Sequence, residues 1–97
     1  MFDFYKPSGR TYNVENPAQT GQMLHLKPPL LATVRKLDEK HSLDSAELLA
    51  CELLSRNEEE VVITAAELRT HVDFDQLWAF LQDYRSWVAG TVASDPN

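Results

Sequence analysis

Three stretches of this chain carry the same local instruction: Leu43-Asp44-Ser45-Ala46-Glu47-Leu48, Ile63-Thr64-Ala65-Ala66-Glu67-Leu68 and Val72-Asp73-Phe74-Asp75-Gln76-Leu77. Each sets an oxygen-bearing residue where it can accept from the unpaired N–H groups of a helix start, and follows it three positions later with Glu or Gln. Apolar residues bracket each pair and can close as a hydrophobic staple. Helices capped at Asp44, Thr64 and Asp73 are therefore expected. The caps stand 20 and then 9 residues apart, too unequal for a repeat, so no solenoid follows from them.

Hydrophobic periodicity fills in the rest. Phe2–Tyr5 and Thr11–Val14 are short β-prone runs on either side of Lys6-Pro7-Ser8-Gly9-Arg10, whose Pro and Gly suit a turn, so a β-hairpin is expected there. Residues 15–22 lack periodicity and read as a mobile loop, and Met23–Leu26 reads as a third strand. Leu30, Val34, Leu37 and His41 recur at helical spacing after Pro28-Pro29, which predicts a helix from Pro29 to Lys40. The next, from Asp44 to Arg56, is apolar nearly all round and should lie centrally. The β-branched Val61-Val62-Ile63 should be extended, Thr64–His71 a two-turn helix, Asp75–Val92 a long final helix and 94–97 a frayed tail. The expected fold is a single α+β domain over residues 1–97, mostly α, with four helices and a small N-terminal hairpin or three-strand sheet.

At 97 residues and 43% apolar content, one folded domain is the natural outcome. Fifteen acidic against nine basic residues give a formal charge of -6, and the basic residues are dispersed. That balance repels phosphate backbones and anionic lipid surfaces, so neither nucleic acid nor membrane is an expected partner. A single cysteine and no basic, apolar leader favour a reducing cytoplasm over secretion, and no segment has the roughly 20 apolar residues of a membrane-spanning helix.

Chemistry is sparse. Cys51 sits in an Ala/Leu-rich helix, where a buried, inert thiol is the simpler reading than a nucleophile. His25, His41 and His71 occupy separate segments without metal-ligand spacing, so no metal or cofactor is expected. His71 beside Asp73 and Asp75 is accounted for by a helix end followed by a cap. Glu58-Glu59-Glu60 reads as a solvated turn.

The last helix carries two apolar stripes. Phe74, Leu77, Trp78, Leu81 and Val88 form one, with the stem of Arg85, while Phe80, Tyr84 and Trp87 follow helical spacing along another. If a domain this small cannot cover the second stripe, it becomes an exposed aromatic patch of the kind that marks protein contacts, with Arg85 beside it.

The order of parts is similar to that of tail assembly chaperones of long-tailed bacteriophages. The likeness rests on the Leu24–Pro29 entry into helices, on Ile63–Leu68, and on the aromatic Asp73–Leu81 segment, and it spans residues 10–90 as a pattern. It implies a small, helical, cytoplasmic, non-enzymatic protein that holds a tape-measure protein during tail assembly. The expected function is thus protein binding through Trp87, Tyr84, Phe80 and Arg85, with self-association left open. Two rivals are a small transcriptional regulator using residues 64–71 and the last helix as a helix-turn-helix, and a small enzyme with Cys51 or His71 in a cleft.

Overall fold

A computed structural model describes residues 1–93, with side chains through Gly90. The expected tail at 94–97 lies outside the described residues. In chain order the elements are β1 (Tyr12–Glu15), β2 (Met23–Leu26), α1 (Leu31–Leu37), α2 (Leu43–Ser55), α3 (Ala65–His71) and α4 (Phe74–Ala93). The class is α+β, mostly α, as expected, with a two-stranded sheet.

The hairpin pairs different segments from those expected. Phe2–Tyr5 forms no strand; β1 instead pairs antiparallel with β2, matching Tyr12 to Leu26 and Val14 to Leu24. Residues opposite each other share a face, so this register stacks four apolar side chains on the side turned to the helices, with Leu24 and Leu26 fully buried. The 16–22 connection is knitted by its own polar groups. The Asn16 N–H donates to the Gln22 carbonyl at 2.7 Å, its side-chain amide to Gln22 Oε1 at 2.7 Å, and its Oδ1 accepts from Ala18 at 2.8 Å. Gly21, at φ 89°, takes the left-handed conformation that glycine adopts without a Cβ clash.

The segment after α2 docks on the other edge of β2, through a bridge between Leu26 and Asn57 and a 2.8 Å bond from the Lys27 N–H to the Arg56 carbonyl. Buried Asn57 holds the turn together: its amide donates to the Leu54 and Val61 carbonyls, both at 2.8 Å, and its oxygen accepts from Val61. Val61–Ile63 belongs to no strand and is pinned instead by Ser55, whose hydroxyl oxygen accepts from the Ile63 N–H at 2.9 Å.

Two of the three predicted caps stand. Thr64 and Glu67 form a full capping box at α3. At α4 the Gln76 N–H donates to Asp73 Oδ1 at 2.8 Å and Gln76 Oε1 accepts from the Asp73 N–H at 2.9 Å. At α2 the cap is Ser42, whose side chain accepts from the Ser45 N–H, so Asp44 falls in the first turn. The earlier hydroxyl reaches the same class of orphan donor, and Asp44 is left where its charge complements the helix dipole. Glu47, released from capping, is buried and bound to Arg69 Nε at 2.6 Å.

Helix α1 is shorter than expected. Leu30 is held extended at φ -67°, ψ 154° with no side-chain cap, and only Thr33 is buried, bonded to Glu52 at 2.8 Å. Helix α2 is central, packed against β2, α3 and α4, although Leu48 on its outer face is exposed. On α4 the buried positions are Leu77, Leu81 and Tyr84, so the core stripe runs between the two read from the sequence, and Phe74 is left exposed.

Candidate partner-binding site

The aromatic stripe of α4 carries the hairpin. Tyr12 projects from β1 onto Phe80, Tyr84 and Trp87, with ring centroids at 6.0, 5.4 and 5.6 Å and edge-on geometry in each case. Such arrangements suit the ring quadrupoles and add to the area they bury. Tyr84 is only 1% exposed, while Phe80 and Trp87 are half-buried. Burial pushes the Tyr84 hydroxyl up to about 12. The Tyr12 hydroxyl donates to Asp83 Oδ2 at 2.5 Å; burial, followed by that hydrogen bond and the Asp83 charge, lifts it well above the ordinary tyrosine range.

Trp87 is capped by Arg10, whose guanidinium lies 4.0 Å from the ring centroid and donates to the Trp87 carbonyl at 2.5 Å. Arg85 faces elsewhere, donating to Asp38 at the end of α1 at 2.7 Å. β1 thus covers Tyr84 and part of the stripe expected to be exposed, Phe80 and Trp87 stay half-buried, and Arg85 turns away to Asp38. The covering element could not be seen in the helix's own periodicity, because it comes from a strand more than sixty residues away.

An open apolar cleft lies beside this contact. It occupies about 360 Å³ and is floored by Val14, Leu54, Leu68, Val72, Leu77 and Phe80, with Glu15, Asn16, His71 and Gln76 at its polar edge. Its shape follows from the two capping boxes, which turn the chain from α3 into α4 across Val72 and Asp73 and leave a notch facing the hairpin loop. The size suits a small-molecule or side-chain pocket, and the lining is apolar with few polar groups. Phe80 is the member of the aromatic stripe that reaches it.

Among the described residues, Cys51 and His71 do not share a cleft. Burial, reinforced by the Glu47 carboxylate, pushes the Cys51 thiol up, opposite to the shift that activates a nucleophile. His71 is at the cleft edge and Cys51 is not among its lining residues. His41 Nδ1 lies 2.6 Å from Ser45 Oγ, and its Nε2 meets the Lys36 carbonyl, an arrangement that ties the end of α1 to the start of α2. The i, i+4 spacing of His41 and Ser45 was the only sequence trace of it.

Among the described residues one group could offer a metal three ligand atoms, His25, Glu58 and Glu59, all within 4.8 Å of one another. Both Glu59 oxygens are already engaged by His25, one by its backbone N–H at 2.8 Å and the other by its ring at 2.6 Å. These contacts hold the Glu59 carboxyl below its usual range, the backbone bond foremost. On α3 and α4, Arg69 is paired with Glu47 and Arg85 with Asp38. Among the described residues no helix is long and apolar enough to cross a membrane.

Compared with known proteins, the chain matches no protein-family model, no curated protein and no solved structure.

Proposed function

We propose that this chain is a non-enzymatic protein-binding domain, an assembly chaperone or adaptor of the cytoplasm that holds an apolar segment of a larger partner. The observation that carries the reading is the cleft itself, an open concavity floored by Leu54, Leu68, Leu77 and Phe80. Apolar concavities of this kind are characteristic of contact sites. The net charge of -6 favours a partner segment whose apolar anchors are flanked by basic residues. The layout shared with phage tail assembly chaperones supports a tape-measure-like partner, and the single cysteine supports a reducing compartment.

Trp87 and Tyr84 serve this function indirectly, by fixing the hairpin that forms one wall of the cleft. The reading is tested by selecting peptides from a random library against the protein and titrating them into isotope-labelled protein. The expected result is a set of peptides with aromatic or aliphatic anchors whose binding shifts the amide signals of Val14, Leu68, Leu77 and Phe80. Binding that leaves those signals in place and moves others overturns it.

A further inference from the structure

Residues Met1–Gly9 lie entirely on the outside of the molecule. Phe2, Phe4 and Tyr5 are 77%, 89% and 97% exposed, and the first two rings meet each other edge to face at 4.8 Å. The arm begins where Arg10 is fastened over Trp87. The molecule measures 45 × 29 × 20 Å with a radius of gyration of 13.9 Å, against about 12.5 Å for a compact chain of this length.

Three exposed aromatic residues in one short arm and an open apolar cleft in the same molecule are complementary surfaces. They are complementary in charge as well. Residues 1–10 carry Lys6 and Arg10 against Asp3, whereas the remainder carries 14 acidic against 7 basic side chains, including Glu15 at the cleft edge. A cavity of about 150 Å³ accommodates a benzene ring, so the 360 Å³ of this cleft has room for two of the three rings.

We propose that the arm of one copy seats its aromatic residues in the cleft of a second copy, reciprocally, to form a two-fold dimer. The inference rests on the cleft being a docking site. In this structure its own arm does not enter it: Phe2, Phe4 and Tyr5 are all exposed, and none of them lines the cleft. Each aromatic side chain buries about 150–250 Å², so two exchanged arms with the surfaces they cover reach the area of a stable dimer. Each copy gives one arm and receives one, which closes the assembly at two copies.

The test is sedimentation of the full chain from micromolar to millimolar concentration, with two variants. Phe2→Ser/Phe4→Ser/Tyr5→Ser removes the anchors from residues outside the packed body, and Thr20→Lys sets a positive charge at the exposed edge of the cleft, against Lys6 of the incoming arm. The wild type is expected to dimerise, and the triple variant to keep its helical spectrum while associating about 100-fold more weakly. Thr20→Lys is expected to weaken association as well. A wild type that stays monomeric throughout overturns the proposal, and so does a dimer indifferent to both variants. Cleft amide signals that differ between wild type and triple variant without any concentration dependence also overturn it, since they place the arm in its own cleft. A monomer that still binds selected peptides in the cleft removes this inference alone; a dimer lost in the triple variant, together with peptides that bind elsewhere, removes the proposed function alone.

Discussion

Tyr12 and Asp83 stand 71 residues apart in the chain and share a 2.5 Å hydrogen bond, so one strand and one helix are joined by a polar contact at the edge of an aromatic cluster. Removing the hydroxyl and removing the ring should therefore have separable costs. Tyr12→Phe keeps the contacts to Phe80, Tyr84 and Trp87 and should lose about 1 kcal/mol. Tyr12→Ala, at a half-buried site, should lose about 2–3 kcal/mol. Urea unfolding followed by circular dichroism measures both, and equal losses would mean that the rings contribute nothing.

Alkaline titration offers a second view of the same joint. The Tyr12 and Tyr84 hydroxyls are both raised, so the neutral forms are favoured in the folded state. Their contribution to stability is complete below the ordinary tyrosine range near 10 and is lost as pH climbs through the raised folded values. Phenolate absorbance from Tyr12 and Tyr84 should accordingly rise late, coincident with loss of helical signal, and Tyr12→Phe should remove part of the late step. Full ionisation of Tyr12 and Tyr84 before any unfolding would contradict this.

On the acid side the sign reverses. The Glu52 carboxyl is lowered chiefly by the Thr33 hydroxyl, and Glu67 chiefly by the Thr64 backbone N–H. Depressed carboxyls stabilise the fold above their ordinary value near 4.5 and lose that contribution as pH falls through the lower folded value. Melting temperature should hold from neutral pH to about 5 and fall below it, with a shallower fall in Glu52→Gln.

The cap assignments predict an asymmetry at α2. Ser42→Ala, Thr64→Ala and Asp73→Ala should each cost about 1 kcal/mol, while Asp44→Ala should cost only a few tenths through the helix dipole. Thermal melts of the four variants decide it; a larger loss at Asp44 than at Ser42 would restore the later start for that helix.

Cys51 should label slowly. Burial and the Glu47 carboxylate disfavour its thiolate, the form that reacts, so native alkylation should lag that of the denatured chain. Mass spectrometry of iodoacetamide-treated protein reads this directly, and native labelling as fast as denatured would reinstate a reactive thiol.

What could be read from the residues was what is decided locally. Thr64 with Glu67 and Asp73 with Gln76 satisfy donors within one turn, and nothing distant competes with them. The choice of strand partner for β1 is different, since Phe2–Tyr5 and Met23–Leu26 are both β-prone. It is settled by burial, because pairing with β2 puts Leu24 and Leu26 under α2 while Asn16 and Gln22 close the loop with side-chain bonds that no propensity encodes. The cleft was invisible for the same reason. Its floor draws one residue each from β1, α2 and α3, two from α4 and Val72 from the turn between the last two helices, and no window of sequence contains it.

The link from Arg10 to Trp87 spans 77 residues, and that separation has a consequence for timing during synthesis. At about 5–20 residues per second, the ribosome completes Trp87 roughly 4–15 s after Arg10. Through that interval the hairpin has no α4 to lie on, while α2 and α3 can already form from local contacts. The joint between β1 and α4 is the last part of the domain to close, and for those seconds the newborn chain displays the ring of Tyr12 to whatever is nearby.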